Sequence, residues 1–515
     1  MNVMPTGPAS GTIEPGLEGF AQAYGAGRPQ VVWTRLVADL ETPVSAMLKI
    51  ADERPNSFLL ESVEGGSVRG RYSIIGCEPD LVWRASGDQA EINGSPATTD
   101  EFVPCEGGTL QALRAVLEES RIDLPEGLPP MAAGVFGYMG YDTVRLIEHL
   151  PTDKPDPIGV PESILIRPTV MVIFDSVKDE IMAVTPVRPD AGVSAEVAYA
   201  EASQRLRKVL ERLDSPLPHA AYADAGSVPL PEPVSNTAPD EYMAMVRRGK
   251  DYIAAGDVFQ VVLSQRFSAP FTLPSFSLYR ALRRVNPSPY LFYLNFGGFA
   301  VVGSSPEILV RVRDGEVNIR PIAGTRPRGE TMAEDNALGE ELLADPKERA
   351  EHLMLLDLGR NDVGRVAEIG SVSVTDSFYL ERYSHVMHIV SNVVGALNPA
   401  FDSIDALMAG FPAGTLSGAP KVRAMQIIDE LEKDRRGIYA GCVGYFSANG
   451  EMDSCIVLRT SLVKDGRMYV QAGAGIVADS VEEMEQAECV NKARALFRAA
   501  EEAVRFSTRS NRPAG

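Results

Sequence analysis

Four glutamates stand in two pairs whose members are three residues apart. The pairs are Glu348 with Glu351 and Glu485 with Glu488. If each segment is helical, this spacing places both carboxylates of a pair on one helical face. Two such faces that meet would surround one cavity with carboxylates, and Mg²⁺ takes one or two protein carboxylates beside water and substrate oxygens. Because the same spacing is common on solvated helix surfaces, the spacing alone leaves both interpretations open.

Both pairs follow signals for the start of a helix. Asp345 can cap the first segment, and Pro346 suits its first turn. Ser480 and Glu483 form a capping box before the second segment. We therefore expect each glutamate pair to lie near the N-terminus of a helix.

Two histidines, His385 and His388, lie in a segment that begins at Tyr383. Their spacing differs from the i, i+4 spacing of zinc-binding helices, and no third soft ligand is evident. Histidine also serves as a general acid or base near neutral pH. Acid–base chemistry and a buried structural role both remain open for each ring.

Glycine-rich and arginine-containing segments could bind an anion. Gly324-Thr325 follows a predicted strand, where glycine permits close backbone approach and threonine offers a hydroxyl and an N–H. The segment around Thr415 lacks the order of a phosphate loop, and residues 471–475 do not match a dinucleotide-binding loop. Arg459 is predicted within a strand, where its guanidinium either clamps a carboxylate or faces solvent.

The elements that must position these residues are hairpins and long helices. Asn-Gly and Asp-Gly pairs, which suit tight turns, separate many of the apolar runs. We predict strands over 57–63, 71–77, 81–85, 170–174, 181–184, 258–267, 290–296, 299–303, 308–312, 317–322, 441–447, 455–463 and 468–472. Helices are predicted over 110–120, 197–213 and 240–255. Strands joined by tight turns are antiparallel, so the fold class is α+β, with large sandwich-like antiparallel sheets covered by helices.

Proline content divides the chain. Residues 214–239 contain six prolines without apolar periodicity and are predicted to connect two regions. We expect an N-terminal regulatory region at 18–213 and a catalytic region at 240–506, roles that rest on the resemblance described below. Residues 1–17 and 507–515 are predicted to be loose ends.

Composition limits the classes of function. The 515 residues carry a net charge of −21, which argues against a nucleic-acid-binding surface. The five cysteines are isolated, which is typical of a reducing cytoplasm. We expect neither a secretory signal nor a membrane span, because the N-terminus lacks the signal pattern and no long apolar run occurs.

Ordered sequence blocks resemble the chorismate-utilising enzymes, most closely the large subunits (component I) of anthranilate synthases. The resemblance covers roughly residues 236–500 and includes PIAGTRPRG at 321–329. The other blocks are 303–307, 350–362, 383–390, 412–423, 436–441 and 471–480. Residues 59–62 and 70–73 resemble the regulatory part of the same family.

The resemblance implies roles for individual residues. Glu351 and Glu488 correspond to Mg²⁺ ligands, with Glu348 and Glu485 beside them. His388 corresponds to a catalytic histidine, Thr415 to an active-site hydroxyl and Glu307 to the acid that protonates a departing hydroxyl. The remaining implied contacts are with chorismate and involve Gly324, Thr325, Tyr439, Arg459, Gly473, Ala474, Gly475 and Lys492.

Two positions discriminate among members of the family. Gln260 occupies the place of a water-activating lysine in isochorismate and salicylate synthases, so ammonia is the expected nucleophile. Ala323 occupies the place where aminodeoxychorismate synthases typically carry a lysine, which alanine cannot replace as a base or nucleophile. Both positions favour anthranilate formation, with pyruvate as the second product.

The resemblance also implies an inhibitor and a partner. Ser62, Pro289, Tyr290 and Leu291 correspond to segments that hold the feedback inhibitor tryptophan, although the family usually carries methionine at position 291. Cys442 lies in a glycine-rich segment but lacks the companions of a glutaminase nucleophile. We therefore expect ammonia from a separate glutamine amidotransferase subunit in a hetero-oligomer, for which a heterotetramer is one arrangement.

The sequence leaves three alternative functions open. One is the large subunit of aminodeoxychorismate synthase, or an enzyme that stops at aminodeoxyisochorismate. Another is a catalytically inactive protein that binds tryptophan for regulation. The third is a scaffold for an amidotransferase, which would leave the carboxylate positions without explanation.

Overall fold

The computed structural model describes residues 11–51, 53–64, 68–151, 154–218, 233–383 and 386–509. Within these ranges there are twelve α-helices, α1 to α12: Leu17–Gly25, Pro43–Ile50, Thr109–Glu119, Ala195–Asp214, Pro239–Ala254, Ser275–Val285, Met332–Ala344, Pro346–Gly364, Ser403–Gly410, Gly414–Ser417, Lys421–Leu431 and Glu482–Arg509. Two 3₁₀ helices cover Pro130–Ala132 and Tyr141–Leu146.

Strands make up the rest of the regular structure. The described residues contain twenty-two, β1 to β22: Gln30–Val37, Ser57–Glu64, Val68–Ser86, Gln89–Asn93, Val103–Pro104, Gly134–Met139, Ser163–Asp175, Glu180–Val187, Val234–Ser235, Gln260–Pro270, Tyr290–Asn295, Phe299–Ser305, Ile308–Arg313, Glu316–Ile319, Ile322–Pro327, Ser373–Arg382, Val386–Ala396, Gly418–Ala419, Cys442–Ser447, Met452–Ile456, Thr460–Lys464 and Arg467–Ile476.

Antiparallel pairing joins the strands into one network. One series runs β10, β22, β21, β12, β11, β2, β3 and β7. A second runs from β7 through β6, β19, β20, β13 and β14 to β17. Helices pack against these sheets, so the α+β prediction is confirmed.

Strands from the two halves of the sequence pair directly. β2 lies beside β11, with Ser62 opposite Tyr290, and β6 lies beside β19. The largest apolar core extends from Phe20 in α1 to Phe497 in α12. The proposed boundary at 214–239 stays a prediction: Asp214 ends α4, Pro239 begins α5, and residues 219–232 lie outside the described part of the chain.

The predicted hairpin turns are confirmed where glycine supplies an unusual backbone angle. Gly315 and Gly450 have φ values of 74° and 93° between paired strands. Several predicted strand limits are wrong. Residues 71–77 and 81–85 form one long strand, β3, whose register shifts between Pro79 and Leu81. The run 317–322 is interrupted after Ile319, and the run 455–463 ends at Ile456 and resumes at Thr460.

The start of the last helix also differs from its prediction. α12 begins at Glu482, and the hydroxyl of Ser480 accepts a hydrogen bond from the backbone N–H of Val477 at 3.1 Å. Ser480 therefore caps the preceding turn. No helix in the described part of the chain has the length and apolar character needed to cross a bilayer.

One buried ion pair, in the segment that follows α11, connects this segment and α10 to β10. The Arg436 guanidinium donates to both carboxylate oxygens of Glu432, at 2.6 and 2.9 Å, and to the carbonyls of Leu416 and Val262. Glu432 also accepts from the backbone and hydroxyl of Ser264, both at 2.8 Å. The pair therefore joins three separate segments.

Replacing Glu432 by alanine should lower stability strongly. The change leaves Arg436 buried without its anion, which costs about 3–5 kcal/mol. The midpoint of thermal unfolding should fall clearly relative to the wild type. Glu118→Ala provides the control, because Glu118 pairs with Arg121 on the surface and should change the midpoint little. Equal effects of the two variants would contradict this role of Glu432.

Candidate active site

The two glutamate pairs lie on α8 and α12, as predicted. Asp345 caps α8 by accepting hydrogen bonds from the backbone N–H groups of Lys347 and Glu348. Burial raises the pKa of Glu351, and the nearby charges of Glu348 and Glu488 raise it further. The electrostatic influence of Glu488 on Glu351 places the carboxylates of the two helices in one neighbourhood.

Each of these carboxylates has a different neighbour. Glu351 accepts from the side-chain amide of Gln260 at 3.1 Å, and Glu488 pairs with Lys492 at 2.6 Å. Glu348 accepts from Arg326 at 3.1 Å. Burial raises the pKa of Glu485, and the charge of Glu488 adds to this effect.

The donor set fits a hard cation with few protein ligands. The described residues contain no group of three or more His, Cys, Asp or Glu side chains arranged to hold a metal. Mg²⁺ needs only one or two carboxylates, because water and substrate oxygens complete its shell. Burial is the main cause of the raised pKa of Glu351, and the charges of Glu348 and Glu488 add to it, so a bound cation would favour the ionised carboxylate. Glu351 and Glu488 therefore remain the predicted ligands.

His388 is buried on β17 with one ring nitrogen fixed. Its Nδ1 lies 2.8 Å from the carbonyl oxygen of Gly324 and 3.2 Å from the hydroxyl of Thr325. Because a carbonyl only accepts, Nδ1 carries the proton and Nε2 keeps a lone pair. Burial lowers the pKa of His388 to about 4, so the ring is neutral at neutral pH. His385 lies outside the described residues.

Glu307 follows β12 and is buried beside Thr415 at the start of α10. The threonine hydroxyl lies 3.2 Å from each carboxylate oxygen. Burial raises the pKa of Glu307 to about 8, against the opposing effects of Thr415 and Arg459. The carboxyl group is therefore mostly protonated at neutral pH and can act as a general acid. Both residues line a small cavity of about 30 Å³.

Arg459 is placed differently from the prediction. It lies in the break between β20 and β21 with a φ of 49°, so it is not part of a strand. Burial lowers its pKa, opposed by the charges of Tyr383 and Glu307, and no side chain in the described ranges hydrogen-bonds to its guanidinium. Arg459 also contributes to lowering the pKa of His388. An unpaired guanidinium thus lies near Glu307 and His388.

Glycines of β22 allow neighbouring protein groups to approach the strand closely. A Cβ atom on Gly473 would lie 3.1 Å from the Tyr439 hydroxyl, and one on Gly475 would lie 2.7 Å from the Gln260 amide nitrogen. Lys492 donates to the carbonyl of Gly473 at 3.0 Å. The side chain of Ala474 is fully buried in the core, so only its backbone is available to a ligand.

Two contributors were missed from sequence alone. Arg326 pairs with Glu341, Asp345 and Glu348, and thereby anchors one carboxylate of the cluster. Tyr383 packs its ring against His388, with centroids 5.5 Å apart. Only their positions in the sequence could have drawn attention to them, because Arg326 directly follows Thr325 and Tyr383 is the first residue of the segment that contains the two histidines.

A second, larger cavity lies between strands of the N-terminal half of the sequence and strands of the C-terminal half. Its volume is about 660 Å³, and its walls include Ser62, Pro289, Tyr290 and Leu291. The β2–β11 pairing brings these residues together, since Ser62 lies opposite Tyr290 and Glu61 lies opposite Leu291. The structure therefore gathers the four predicted inhibitor contacts around one space.

Comparison with known proteins defines the class. A model of the chorismate binding enzyme family matches residues 57–498. The chain belongs to this family.

Relatives within the family narrow the assignment. Anthranilate synthase component 1 of Cereibacter sphaeroides is 57% identical over 495 residues, covering 96% of this chain and 99% of that protein. The Pseudomonas aeruginosa protein of the same name is 50% identical over 467 residues, covering 90% and 94%. The crystal structure of anthranilate synthase component I from Streptococcus pneumoniae is 38% identical with a TM-score of 0.73, covering 90% and 99%. The chain falls among the anthranilate synthase component 1 proteins, which are chorismate-utilising lyases.

Replacing Glu307 by glutamine should change stability in a pH-dependent way. Because the folded-state pKa of Glu307 is raised to about 8, its stabilising effect is complete below its usual pKa and is lost as pH rises through about 8. Glutamine cannot ionise, so the thermal midpoint of Glu307→Gln relative to wild type should increase between about pH 5 and about pH 9. Glu118→Gln serves as an exposed control. A pH-independent difference for Glu307→Gln would contradict the raised pKa.

Proposed function

We propose that this protein converts chorismate and ammonia to anthranilate and pyruvate, the first committed step of tryptophan biosynthesis. The observation that carries the proposal is the grouping of a protonated Glu307, a neutral His388 and an unpaired Arg459. These are an acid, a base and an anion-binding group. A dicarboxylate that loses a hydroxyl and then a proton requires all three.

The substrate is bound through its carboxylates and ring. Arg459 has a free guanidinium that suits bidentate contact with a carboxylate. The backbone of 473–475 and the Tyr439 hydroxyl are further proposed contacts, and they lie close together because Gly473 has no side chain. Gly324, Thr325 and Lys492 complete the proposed contacts, because they adjoin His388 and Gly473.

Glu351 and Glu488 would hold Mg²⁺, with Glu348 and Glu485 behind them. Bound Mg²⁺ supplies positive charge that orients the substrate's ring carboxylate. Gln260 holds Glu351 from one side, and Arg326 holds Glu348 from the other. The chain's own side chains thus fix the orientation of the carboxylates.

Acid–base roles follow from the protonation states. Glu307 donates its proton to the hydroxyl that leaves C4 while ammonia adds at C2, and Thr415 holds the carboxyl in place. The C2 proton is then removed, and the enolpyruvyl group leaves and takes up a proton to become pyruvate. His388 has the lone pair on Nε2 for proton transfer, since Nδ1 is occupied by Gly324.

Two buried positions favour ammonia over water and anthranilate over aminodeoxychorismate. The Gln260 amide nitrogen donates to Glu351, so this side chain orients a carboxylate and provides no base. Ala323 is buried on β15 and offers no amine. The aminodeoxychorismate alternative would require another residue to supply that function.

A separate glutamine amidotransferase is proposed as the source of ammonia. Cys442 begins the buried strand β19, and burial raises the pKa of its thiol to about 12. A nucleophilic cysteine needs a thiolate near neutral pH. The local environment of Cys442 therefore favours a structural thiol over a catalytic one. We propose that the chain is one component of a cytoplasmic enzyme with two components.

The reaction can be tested with ammonia alone. The purified chain should form fluorescent anthranilate from chorismate, MgCl₂ and an ammonium salt at alkaline pH. Glu488→Gln should reduce the rate by about 100-fold or more, because a carboxylate ligand is lost. Glu118→Gln, on the surface, serves as the matched control.

Other products would point to other functions. Aminodeoxychorismate or isochorismate, identified by mass, would contradict the interpretation of Gln260 and Ala323. If chorismate is not consumed but tryptophan binds, the protein is a regulatory binder. A wild-type rate unaffected by removal of Mg²⁺ would refute the proposed metal site.

Feedback inhibition by tryptophan is the second part of the proposal. The 660 Å³ cavity is large enough for an amino acid with an indole ring and has both apolar and charged walls. Ser62→Phe places a ring in this space and should raise the tryptophan concentration for half-inhibition by about tenfold or more. Anthranilate formation with and without tryptophan measures the change. Unaltered inhibition of Ser62→Phe would place the inhibitor elsewhere.

A further inference from the structure

Three linked side chains lie on the wall of the large cavity. Arg320, Glu381 and Tyr383 all line this 660 Å³ cavity. Arg320 also lines the small cavity that contains Glu307 and Thr415, so it contacts both spaces. No step of the proposed reaction uses these three residues.

The three side chains are linked to each other. Arg320 forms an ion pair with one carboxylate oxygen of Glu381, and the Tyr383 hydroxyl donates to the other oxygen at 2.7 Å. Arg320 also donates to the Tyr379 hydroxyl at 2.8 Å. The orientation of Tyr383 is thus set by Glu381, whose own position depends on Arg320.

Tyr383 in turn contacts His388. The two rings lie 5.5 Å apart between centroids at an angle of 59°. Glu381 lies directly opposite His388 in the pairing of β16 with β17. The contacts of Nδ1 fix one ring nitrogen, while the χ2 torsion of histidine is broad, so a ring packed against the imidazole further limits the direction of Nε2.

We infer that Tyr383 is a positioning residue for His388, and that a ligand in the large cavity acts on catalysis through the linked side chains of Arg320, Glu381 and Tyr383. The second part rests on the proposed inhibition by tryptophan. An amino acid bound there brings a carboxylate, which competes with Glu381 for Arg320. Displaced from Arg320, Glu381 moves with the Tyr383 hydroxyl bonded to it and so draws the Tyr383 ring away from His388.

The positioning role is tested by comparing two substitutions at one site. Tyr383→Ala removes the ring and should lower kcat for anthranilate by about tenfold or more, with the KM for chorismate changed by less than about threefold. Tyr383→Phe keeps the ring and should restore most of kcat. Tyr379→Phe is the matched control, because it removes a hydroxyl beside Arg320 without a ring contact to His388, and its kcat should be unchanged.

Three outcomes would overturn the positioning role. One is an unchanged kcat in Tyr383→Ala. Another is a loss in Tyr383→Ala that appears only in KM. The third is a Tyr383→Phe variant that is as slow as Tyr383→Ala while its thermal midpoint matches the wild type.

The coupling role is tested by measuring tryptophan binding and tryptophan inhibition separately. Tryptophan should bind the wild type in calorimetry and lower its kcat for anthranilate. In Tyr383→Phe, which keeps the ring but lacks the hydroxyl bonded to Glu381, the inhibition should vanish while the affinity for tryptophan changes by less than about threefold. Glu381→Gln should behave in the same way.

The outcomes separate the inference from the proposed function. If tryptophan binds and inhibits Tyr383→Phe and Glu381→Gln as it does the wild type, the coupling inference is wrong. If the wild type does not bind tryptophan, the proposed inhibition is wrong and the coupling inference falls with it. The kcat comparison at Tyr383 still decides the positioning role in that case.

Discussion

The site depends on the burial of two ionisable side chains, Glu307 and His388, away from water. Burial shifts the pKa of Glu307 upward and that of His388 downward, so both groups are neutral at neutral pH. A neutral carboxyl is a proton donor and a neutral imidazole is an acceptor, which sets their different roles. Arg459 lies near both groups, and among the described residues no side chain hydrogen-bonds to its guanidinium, so this arrangement favours an anionic ligand.

Interruptions of the strands position the charged side chains of the site. The break before β21 gives Arg459 a positive φ, which turns its side chain away from the alternation of a strand. Arg320 and Pro321 lie in a second break between β14 and β15, where Arg320 contacts both cavities. Regular strands would have directed these residues to one face of the sheet or the other.

Asn-Gly and Asp-Gly pairs predicted the hairpins, because the conformation of a tight turn is set by the backbone angles of the residues within the turn. The apolar strand pattern failed at Arg459, and the capping-box pattern failed at Ser480. Spacing and residue type singled out the glutamate pairs and His388 as candidates, whereas their expected roles and the choice of Glu307 came from resemblance to a family. Their protonation states and the Gln260–Glu351 contact depend on residues distant in sequence, so no pattern within one segment could predict them.

The pairing of β2 with β11 and of β6 with β19 has a consequence for how the chain can be divided. A fragment that begins at α5 would lose both N-terminal partners and expose two strand edges. Unpaired edges offer their backbone groups to other chains and promote aggregation. The N-terminal half therefore covers two strand edges as well as forming a wall of the large cavity, and its deletion would cost solubility as well as that cavity.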